Sequence, residues 1–279
     1  MNSEALQVEN QAEQQAAEAG SDTQWHEPAW IEVRDLRYTV GEKQVLKGVT
    51  LGVPPGEILC VMGMSGCGKT TLLHCIGGLT EATSGEIRIG ESQIVGMKES
   101  KLNTVRERMG MVFQYAALFD SLSVFENVAF GLRRRRRLPF DEIKKMVAEK
   151  LALVGMPGTE QLFPSQLSGG MAKRVGLARA IALSPEILLY DEPTSGLDPV
   201  IASVVDELIM QMRDTLGVTS IVVSHNITSI FRISDKIAML HEGQVLATGT
   251  PEEIQNCDNP IVRQFIEGKS QGPIEVARR

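Results

Sequence analysis

One stretch of nine residues, GMSGCGKTT at positions 63–71, constrains the fold more than any other part of the chain. An apolar run typical of a strand, EILCVM (57–62), precedes it, and a helical pattern, TTLLHCIGGL (70–79), overlaps its end. This context makes the match to G-x-x-x-x-G-K-[ST] specific, because glycines let backbone N–H groups curl around phosphate oxygens at a helix N-terminus. We therefore predict a nucleotide-binding loop in which Lys69 reaches the β- and γ-phosphates and Thr70 binds Mg²⁺.

A second apolar strand, ILLYDEP at 187–193, ends in two carboxylates. A buried strand would hold Asp191 at its carboxyl end, where an aspartate binds Mg²⁺ through its water shell. Glu192 follows directly and is placed to polarise an attacking water molecule. Two acids after a strand are a weak signal alone, but together with the phosphate-binding loop they predict a hydrolytic site.

Short apolar strands alternate with helical patterns along most of the chain. Such alternation predicts a parallel α/β core, and the first strands predict an antiparallel layer beside it. The segment 115–183 is mostly helical, for example at 140–154, and we predict that it forms a separate helical lobe. Besides the two strands above, the predicted strands are 30–40, 44–53, 85–90, 109–113, 219–224 and 235–240.

Charge and hydropathy exclude several classes of protein. The net charge is −7, but residues 1–28 hold six acidic residues and no Lys or Arg, so the remaining chain carries −1. Such a neutral body is not typical of a general nucleic-acid binder. The Gln-, Ala- and Glu-rich segment 1–28 predicts a disordered or loosely helical tail and not a secretory signal. No apolar run approaches the ~18 residues of a membrane span, so other chains would have to cross a membrane.

Three further groups of residues carry weaker signals. The cysteines form no CxxC pair, which predicts free thiols and neither zinc nor disulfides; they are Cys60, Cys67, Cys75 and Cys257. The five-arginine run 133–137 fits contact with nucleic acid or anionic lipid head groups, and it also fits a solvated face. His225, after the strand 219–224, would on its own more often be structural.

The phosphate-binding loop, the segment LSGGM (167–171) and the strand with its two acids, in this order, resemble the ATP-binding cassette (ABC) ATPases over residues 30–268. The resemblance implies a P-loop NTPase fold: an ABC nucleotide-binding domain with a RecA-like parallel-sheet core, an antiparallel β-subdomain and a helical subdomain. It also implies ATP hydrolysis, with ATP and Mg²⁺ as cofactors. The implied organisation is a tail at 1–28, the ATPase domain at 29–268 with its helical subdomain at about 115–183, and a C-terminal tail at 269–279.

Further residues match motifs of this family, and the resemblance implies a role for each. Tyr38 resembles the aromatic residue that stacks on adenine, Gln114 the glutamine that touches Mg²⁺, and His225 the switch histidine on the γ-phosphate. In the loop SGLD (195–198), Asp198 is similar to the acid of the loop that crosses the dimer interface. The residues implied to bind ATP are Tyr38, Gly63, Met64, Ser65, Gly66, Cys67, Gly68, Lys69, Thr70 and Thr71. The residues implied in catalysis are Glu192, His225 and Gln114. The residues implied to bind Mg²⁺ are Thr70, Gln114 and Asp191.

The spacing of the motifs bears on assembly. Lys69 and Ser168 are 99 residues apart, on lobes predicted to be different, and the chain contains one of each motif. The resemblance implies a head-to-tail homodimer that works with two copies of an integral-membrane permease. In such a dimer the residues of one chain that face the γ-phosphate of the other chain's ATP are Ser168, Gly169, Gly170 and Met171. A lone chain is therefore expected to hydrolyse ATP poorly.

Met171 stands where most of the family has glutamine. Three stretches resemble one branch of the family, the MlaF-type ATPases of MCE-protein phospholipid transporters. They are LSGGM (167–171), MGMVFQYAALFDSLSVFENVAFGLR (109–133) and DNPIVRQFIEG (258–268). The resemblance implies an ATPase subunit, peripheral at the cytoplasmic face of the inner membrane, that drives phospholipid transport through a separate permease and an MCE-domain lipid-binding protein. Met171 itself is predicted to be peripheral to catalysis, since the serine and the glycine backbone contact phosphate.

Two alternative functions share parts of this pattern. The ATPase of a small-solute importer, for amino acids or osmolytes, differs only in LSGGM, the segment 115–132 and the C-terminus. The 54 residues after His225 leave no room for the large regulatory domain of sugar-type importers. Non-transport cassettes of DNA repair or translation carry long coiled-coil insertions or two cassettes, and the single set of motifs argues against both.

Overall fold

The computed structural model describes residues 29–135 and 138–274, which form two sheets with helices around them. The strands are β1 Ile31–Val40, β2 Lys43–Val53, β3 Ile58–Met62, β4 Ser84–Ile89, β5 Ser92–Gln93, β6 Met109–Val112, β7 Ile187–Asp191, β8 Thr219–Ser224, β9 Lys236–His241 and β10 Gln244–Gly249. The helices are α1 Lys69–Ile76, α2 Glu99–Arg106, α3 Val124–Arg135, α4 Phe140–Leu153, α5 Gly169–Ala180, α6 Pro199–Leu216, α7 Ile227–Ile233, α8 Pro251–Gln255 and α9 Pro260–Glu267, with a 3₁₀ turn at Pro164–Gln166.

The larger sheet has six strands in the order β10-β9-β3-β8-β7-β6. Five of them are parallel, and β10 pairs antiparallel with β9 at one edge. The strands β3, β7 and β8 are buried along their whole length. Their continuous apolar sequences follow from this position, because a parallel sheet is covered on both faces. The predicted parallel core is confirmed.

One hydrophobic core lies on each face of this sheet. In β3, Ile58, Cys60 and Met62 belong to the core that includes helices α3 to α6, whereas Leu59 and Val61 belong to the core that includes α1 and the smaller sheet. This division follows the alternation of side chains along a strand. The loops after β3, β7 and β8 therefore leave a firmly packed sheet at the same edge, where parallel strands end.

The smaller sheet is the predicted antiparallel layer. Its four strands have the order β2-β1-β4-β5, and each neighbouring pair is antiparallel. On the other side of the molecule, helices α3, α4 and α5 pack against one another within the segment predicted to be a helical lobe. The fold class predicted from the sequence, α/β with a parallel core and an antiparallel layer, is confirmed.

The predicted N-terminal tail and part of the predicted C-terminal tail lie outside the residues that the structure describes. The tail at 1–28, residues 275–279, and Arg136 and Arg137 of the arginine run lie outside the described residues. Residues 269–274 pack against α9, since the side-chain amide of Gln264 donates to the carbonyl oxygens of Lys269 and Ile274, at 3.2 Å and 3.3 Å. Within 29–135 and 138–274, no helix is long and apolar enough to cross a membrane.

Candidate active site

The phosphate-binding loop connects the end of β3 to the start of α1 at Lys69. Its first residue, Gly63, has a φ of 154°, and a Cβ atom there would collide with the carbonyl oxygen of Leu240 in β9. Its last residue, Gly68, has a φ of 111° directly before the first turn of α1. Glycine is therefore required where the chain turns from sheet to helix, and the loop curls at the helix end that attracts anions.

The ammonium group of Lys69 is enclosed by this loop. Its Nζ donates to the carbonyl oxygens of Gly63 at 2.8 Å and of Met64 at 3.1 Å. It also lies 3.8 Å from Oε1 of Glu192, and the lysine side chain is only 7% exposed. A cation in such a place attracts phosphate oxygens more strongly than a solvated one, because less water screens its charge.

Thr70 and Asp191 meet between the loop and the end of β7. Oγ1 of Thr70 donates to Oδ1 of Asp191 at 2.9 Å. Burial raises the pKa of Asp191, while the hydrogen bond from Thr70 and the charge of Lys69 act in the opposite direction. Hydroxyl and carboxylate oxygens are ligands that Mg²⁺ prefers, so this pair of side chains fits a magnesium site.

Glu192 lies where the chain leaves β7. Its φ of 47° is in the left-handed region, and its N–H donates to the carbonyl oxygen of Val223 at 2.9 Å. Oε2 of its buried carboxylate lies 2.8 Å from Nδ1 of His225, whose side chain is largely exposed. The hydroxyl of Ser224 lies 3.4 Å from the same oxygen. The structure thus places the carboxylate predicted to act as base in contact with the predicted switch histidine.

Most of these residues line one open cleft of about 560 Å³. Gln114 reaches it from the end of β6, and its Nε2 lies 3.4 Å from Oγ of Ser195. The residues that line the cleft are Val45, Met64, Ser65, Gly66, Gly68, Lys69, Thr70, Thr71, Gln114, Glu192, His225 and Phe265. The phosphate-binding loop, the glutamine, the carboxylate and the histidine are therefore gathered around one space.

Some residues differ from the sequence expectation in their position. Tyr38 and Cys67 do not line the cleft; both pack with the core beneath the smaller sheet. Phe265 of α9 does line it. The sequence placed Phe265 in a stretch typical of the MlaF-type branch, but no motif assigned it to a site, and only the packing of α9 shows its location.

Two residues predicted to act at a dimer interface cap helices. Ser168 precedes α5, and its Oγ accepts the N–H of Met171 at 3.3 Å. Asp198 precedes α6, and its Oδ1 accepts the N–H groups of Val200 and Ile201, both at 3.0 Å. Serine and aspartate are favoured at such positions because they satisfy free N–H groups of the first turn. None of the residues 168–171 lines the cleft of its own chain.

The segment after Gln114 is held by an arginine of α5. Ala116 and Ala117 have φ values of 59° and 47°, both left-handed. Nη2 and Nη1 of Arg179 donate to their carbonyl oxygens, each at 2.7 Å. Tyr115, just before them, is 86% exposed. Helix α5, which begins within the segment LSGGM (167–171), called the signature segment from here on, thus also fixes the backbone next to Gln114.

Cys67 gives a direct chemical test of this loop. Its side chain is buried, and burial raises the pKa of the thiol, with the charge of Lys69 opposing the change. Maleimide reacts with the thiolate, so labelling should be slow near neutral pH and faster as the pH rises. We expect Mg-ATP to slow it further, because a nucleotide wrapped by the loop covers it.

The measurement is the rate of Cys67 labelling by mass spectrometry, with and without Mg-ATP, at several pH values. The background has serine in place of the other cysteines, Cys60, Cys75 and Cys257. Equal rates with and without Mg-ATP at the pH of fastest labelling would contradict a loop that encloses the nucleotide.

The fold and the site together define a class of protein. The larger sheet is mostly parallel, and a glycine-rich loop leads from it into α1 and encloses the buried Lys69. The pair Asp191 and Glu192 lies at the end of another strand of this sheet. These features make the chain a P-loop nucleoside triphosphatase. Comparison with known proteins narrows the class, since the family model described as ABC transporter matches residues 46–195. The chain belongs to the ABC transporter family, and it is an ATPase that binds ATP.

Individual relatives agree with this assignment. The intermembrane phospholipid transport system ATP-binding protein MlaF of Escherichia coli (strain K12) is 43% identical over 244 residues, 88% of this chain and 91% of that protein. The probable ribonucleotide transport ATP-binding protein mkl of Mycobacterium tuberculosis (strain ATCC 25618 / H37Rv) is 40% identical over 247 residues, 88% of this chain and 69% of that protein. A dimeric post-hydrolysis state of the ATP-binding cassette MJ0796, bound to ADP and Pi, is 31% identical with a TM-score of 0.73 and covers 79% of this chain and 98% of that chain. The resemblance to the MlaF-type branch is confirmed.

Proposed function

We propose that this chain is the ATP-hydrolysing subunit of a transporter that moves phospholipids through a separate permease and an MCE-domain lipid-binding protein. The observation that carries this proposal is the 43% identity, over 88% of the chain, to a protein whose name is that of a phospholipid transport subunit. Two copies of the chain would act with two copies of the permease at the cytoplasmic face of the inner membrane. The absence of a spanning helix from the described residues fits a peripheral subunit.

The loop and its lysine would bind the phosphates of ATP. Lys69 is held beside the loop by the carbonyl groups of Gly63 and Met64, so little side-chain entropy remains to be lost when it contacts the β- and γ-phosphates. The N-terminus of α1 adds its dipole to the same place. Tyr38 lies outside the cleft lining, so its contact with adenine stays a prediction.

Thr70, Gln114 and Asp191 would hold Mg²⁺. The contact of 2.9 Å between the oxygens of Thr70 and Asp191 supports this proposal, because two of the proposed ligands already lie close together. When bound, the ion neutralises charge on the β- and γ-phosphate oxygens. The chain would fix these two oxygens on rigid elements, that of Asp191 at the end of β7 and that of Thr70 in the first turn of α1.

Glu192 would act as the general base. Its buried carboxylate would accept a proton from the water molecule whose oxygen attacks the γ-phosphorus, while the bond to the β-phosphate oxygen breaks. The contact of 2.8 Å with Nδ1 of His225 keeps one carboxylate oxygen fixed, and the exposed face of the histidine is available to the γ-phosphate. This contact supports the proposed role of Glu192 as the base.

The residues Ser168, Gly169, Gly170 and Met171 and the loop of Asp198 would complete the site of the opposing chain. Their exclusion from the cleft of their own chain supports this arrangement. So does the dimeric form of the similar cassette bound to ADP and Pi. ATP hydrolysis should accordingly rise more steeply than linearly with protein concentration where monomers and dimers coexist.

The transported substrate distinguishes this function from its alternative. A mycobacterial relative has ribonucleotide transport in its name, and a small-solute importer remains the alternative. The test is affinity purification of the tagged chain from native membranes, followed by identification of the co-purifying chains and lipids by mass spectrometry. A permease, an MCE-domain protein and enriched phospholipid are the expected result. A solute-binding protein without lipid enrichment would favour the alternative.

The arginine run yields a prediction about the membrane. Arg133 lies 5.6 Å from the ring of Phe125 and Arg134 lies 5.5 Å from that of Phe130, at the end of α3. Such cations gain up to about 1 kcal/mol each near anionic lipid. Replacing Arg134, Arg135 and Arg136 by glutamine should leave the ATPase rate of the isolated chain unchanged. The same change should weaken sedimentation with anionic liposomes at low salt, but not with neutral ones. If the variant and the wild type sediment equally with anionic liposomes at low salt, the run is a solvated face.

A further inference from the structure

The signature helix α5 carries a buried lysine that no motif explains. Lys173 is 7% exposed, and its Nζ donates to the backbone carbonyl oxygen of Glu192 at 3.1 Å. Burial lowers the pKa of Lys173, and the charges of Glu192 and Asp191 act in the opposite direction. An apolar side chain of the same length would fill this space without the cost of burying a charge. The ammonium therefore calls for a role beyond packing.

The acceptor of this hydrogen bond is unusual. Glu192 is held in the left-handed region, with a φ of 47°. Its N–H donates to the carbonyl oxygen of Val223, and its own carbonyl oxygen accepts both the N–H of Ser195, at 3.1 Å, and the ammonium of Lys173. A non-glycine residue keeps such a conformation only when its surroundings over-determine it. Lys173 is one of these determinants, and among the residues that the structure describes it is the only one from α5 that bonds to the backbone of Glu192.

Because Lys173 is part of α5, its contact also links the start of this helix to the backbone of Glu192. The helix begins directly after Ser168, its N-cap, and Lys173 lies five residues further along the chain, in the second turn. A helix moves as a rigid unit over such a distance, since its backbone hydrogen bonds resist local change. A shift of the signature end therefore displaces the ammonium, and with it the backbone of Glu192.

We propose that Lys173 is a positioning residue, which holds the backbone of Glu192 and couples the signature segment of one chain to the base in that chain's own cleft. Contact between Ser168 and the opposing chain's γ-phosphate would thus set the position of Glu192, so that each bound ATP prepares the other site for hydrolysis. This inference rests on the proposed roles of Glu192 and Ser168. It assigns no contact between Lys173 and ATP.

The test compares three variants of α5 in the full chain. Lys173→Met removes the charge and keeps the length, Lys173→Arg keeps a cation, and Arg174→Met is the matched control. Arg174 also donates to a backbone carbonyl oxygen, that of Gly155 at 3.0 Å, but this acceptor is not in the cleft. We expect Lys173→Met to lower kcat by ~10–100-fold, because a small misplacement of a catalytic group has effects of this size. KM for ATP should change far less, Lys173→Arg should restore part of the rate, and Arg174→Met should resemble the wild type.

A double-mutant cycle separates positioning from general damage. If Lys173 acts through Glu192, the slow residual rate of Glu192→Gln should not fall further when Lys173→Met is added. A rate that falls by the same factor in both backgrounds would overturn the inference, as would wild-type kcat in Lys173→Met. If Lys173→Met does not fold, as judged by thermal unfolding, Lys173→Gln is measured under the same criteria. The proposed function has its own outcome, since normal hydrolysis by Glu192→Gln would remove the base itself.

Discussion

Glu192→Gln should lower the rate of ATP hydrolysis by ~10²–10⁴-fold, the usual effect of losing a general base. Glutamine keeps the size of the side chain and a carbonyl oxygen for Nδ1 of His225, which lies 2.8 Å from the carboxylate. ATP binding should therefore persist. The variant should accumulate as an ATP-bound dimer on a sizing column, because assembly continues while turnover stops.

The matched control for this variant is Glu186→Gln. Glu186 precedes β7 and pairs with Arg108 at 3.0 Å, with half of its side chain exposed, so the same chemical change falls outside the cleft. Its ATPase rate should stay close to that of the wild type. Near-normal hydrolysis by Glu192→Gln would show that another group activates the water molecule.

Ser168→Arg should abolish ATP hydrolysis, whereas Met171→Gln should leave it within a few-fold of the wild type. The arginine would place a bulky cation where the γ-phosphate of the opposing chain's ATP is proposed to lie. Met171 packs its half-buried side chain against the core around α5 and offers only its N–H to Ser168. Glutamine keeps that N–H, so the cap remains. The measurement is the ATPase rate of each purified variant at the same protein concentration.

Ser168→Ala separates the two functions of the serine. Loss of the cap costs about 1 kcal/mol of stability. Loss of the hydroxyl would also remove the proposed phosphate contact, but alanine would not block the phosphate position. Its rate should lie between that of the wild type and that of Ser168→Arg. If Met171→Gln proved as damaging as Ser168→Arg, the methionine would have a direct part in the reaction.

The strands that support the site were predictable because burial leaves a mark on the sequence. β3, β7 and β8 are buried on both faces, so their residues are almost continuously apolar. β10 was missed because it is an edge strand of half-buried residues, QVLATG, with no clear apolar run. An edge position places fewer demands on composition than the centre of a sheet.

The site itself was predictable only where chemistry is local. Lys69 and Thr70 are adjacent at the end of the glycine-rich loop predicted to bind phosphate, so a short pattern contains them. Lys173 and Arg179 act on backbone carbonyl groups of Glu192 and of Ala116 and Ala117, far away in the chain. Carbonyl groups are present at every residue, so the sequence gives no signal for such partners. Phe265 escaped for a related reason, since its place depends on how α9 packs.

The two left-handed alanines after Gln114 bear on how transport could control hydrolysis. Each such residue costs about 1–3 kcal/mol relative to a relaxed conformation, and the two bonds from Arg179 offset that cost. The left-handed conformation of this segment therefore depends on Arg179, and loss of its two hydrogen bonds would favour a relaxed backbone. A partner that touches the exposed Tyr115 and favours the relaxed state by about 1.4 kcal/mol would shift the ratio of the two states tenfold. The backbone conformation of Ala116 and Ala117, and not the affinity for ATP, would then couple the binding of the partner to the rate of hydrolysis.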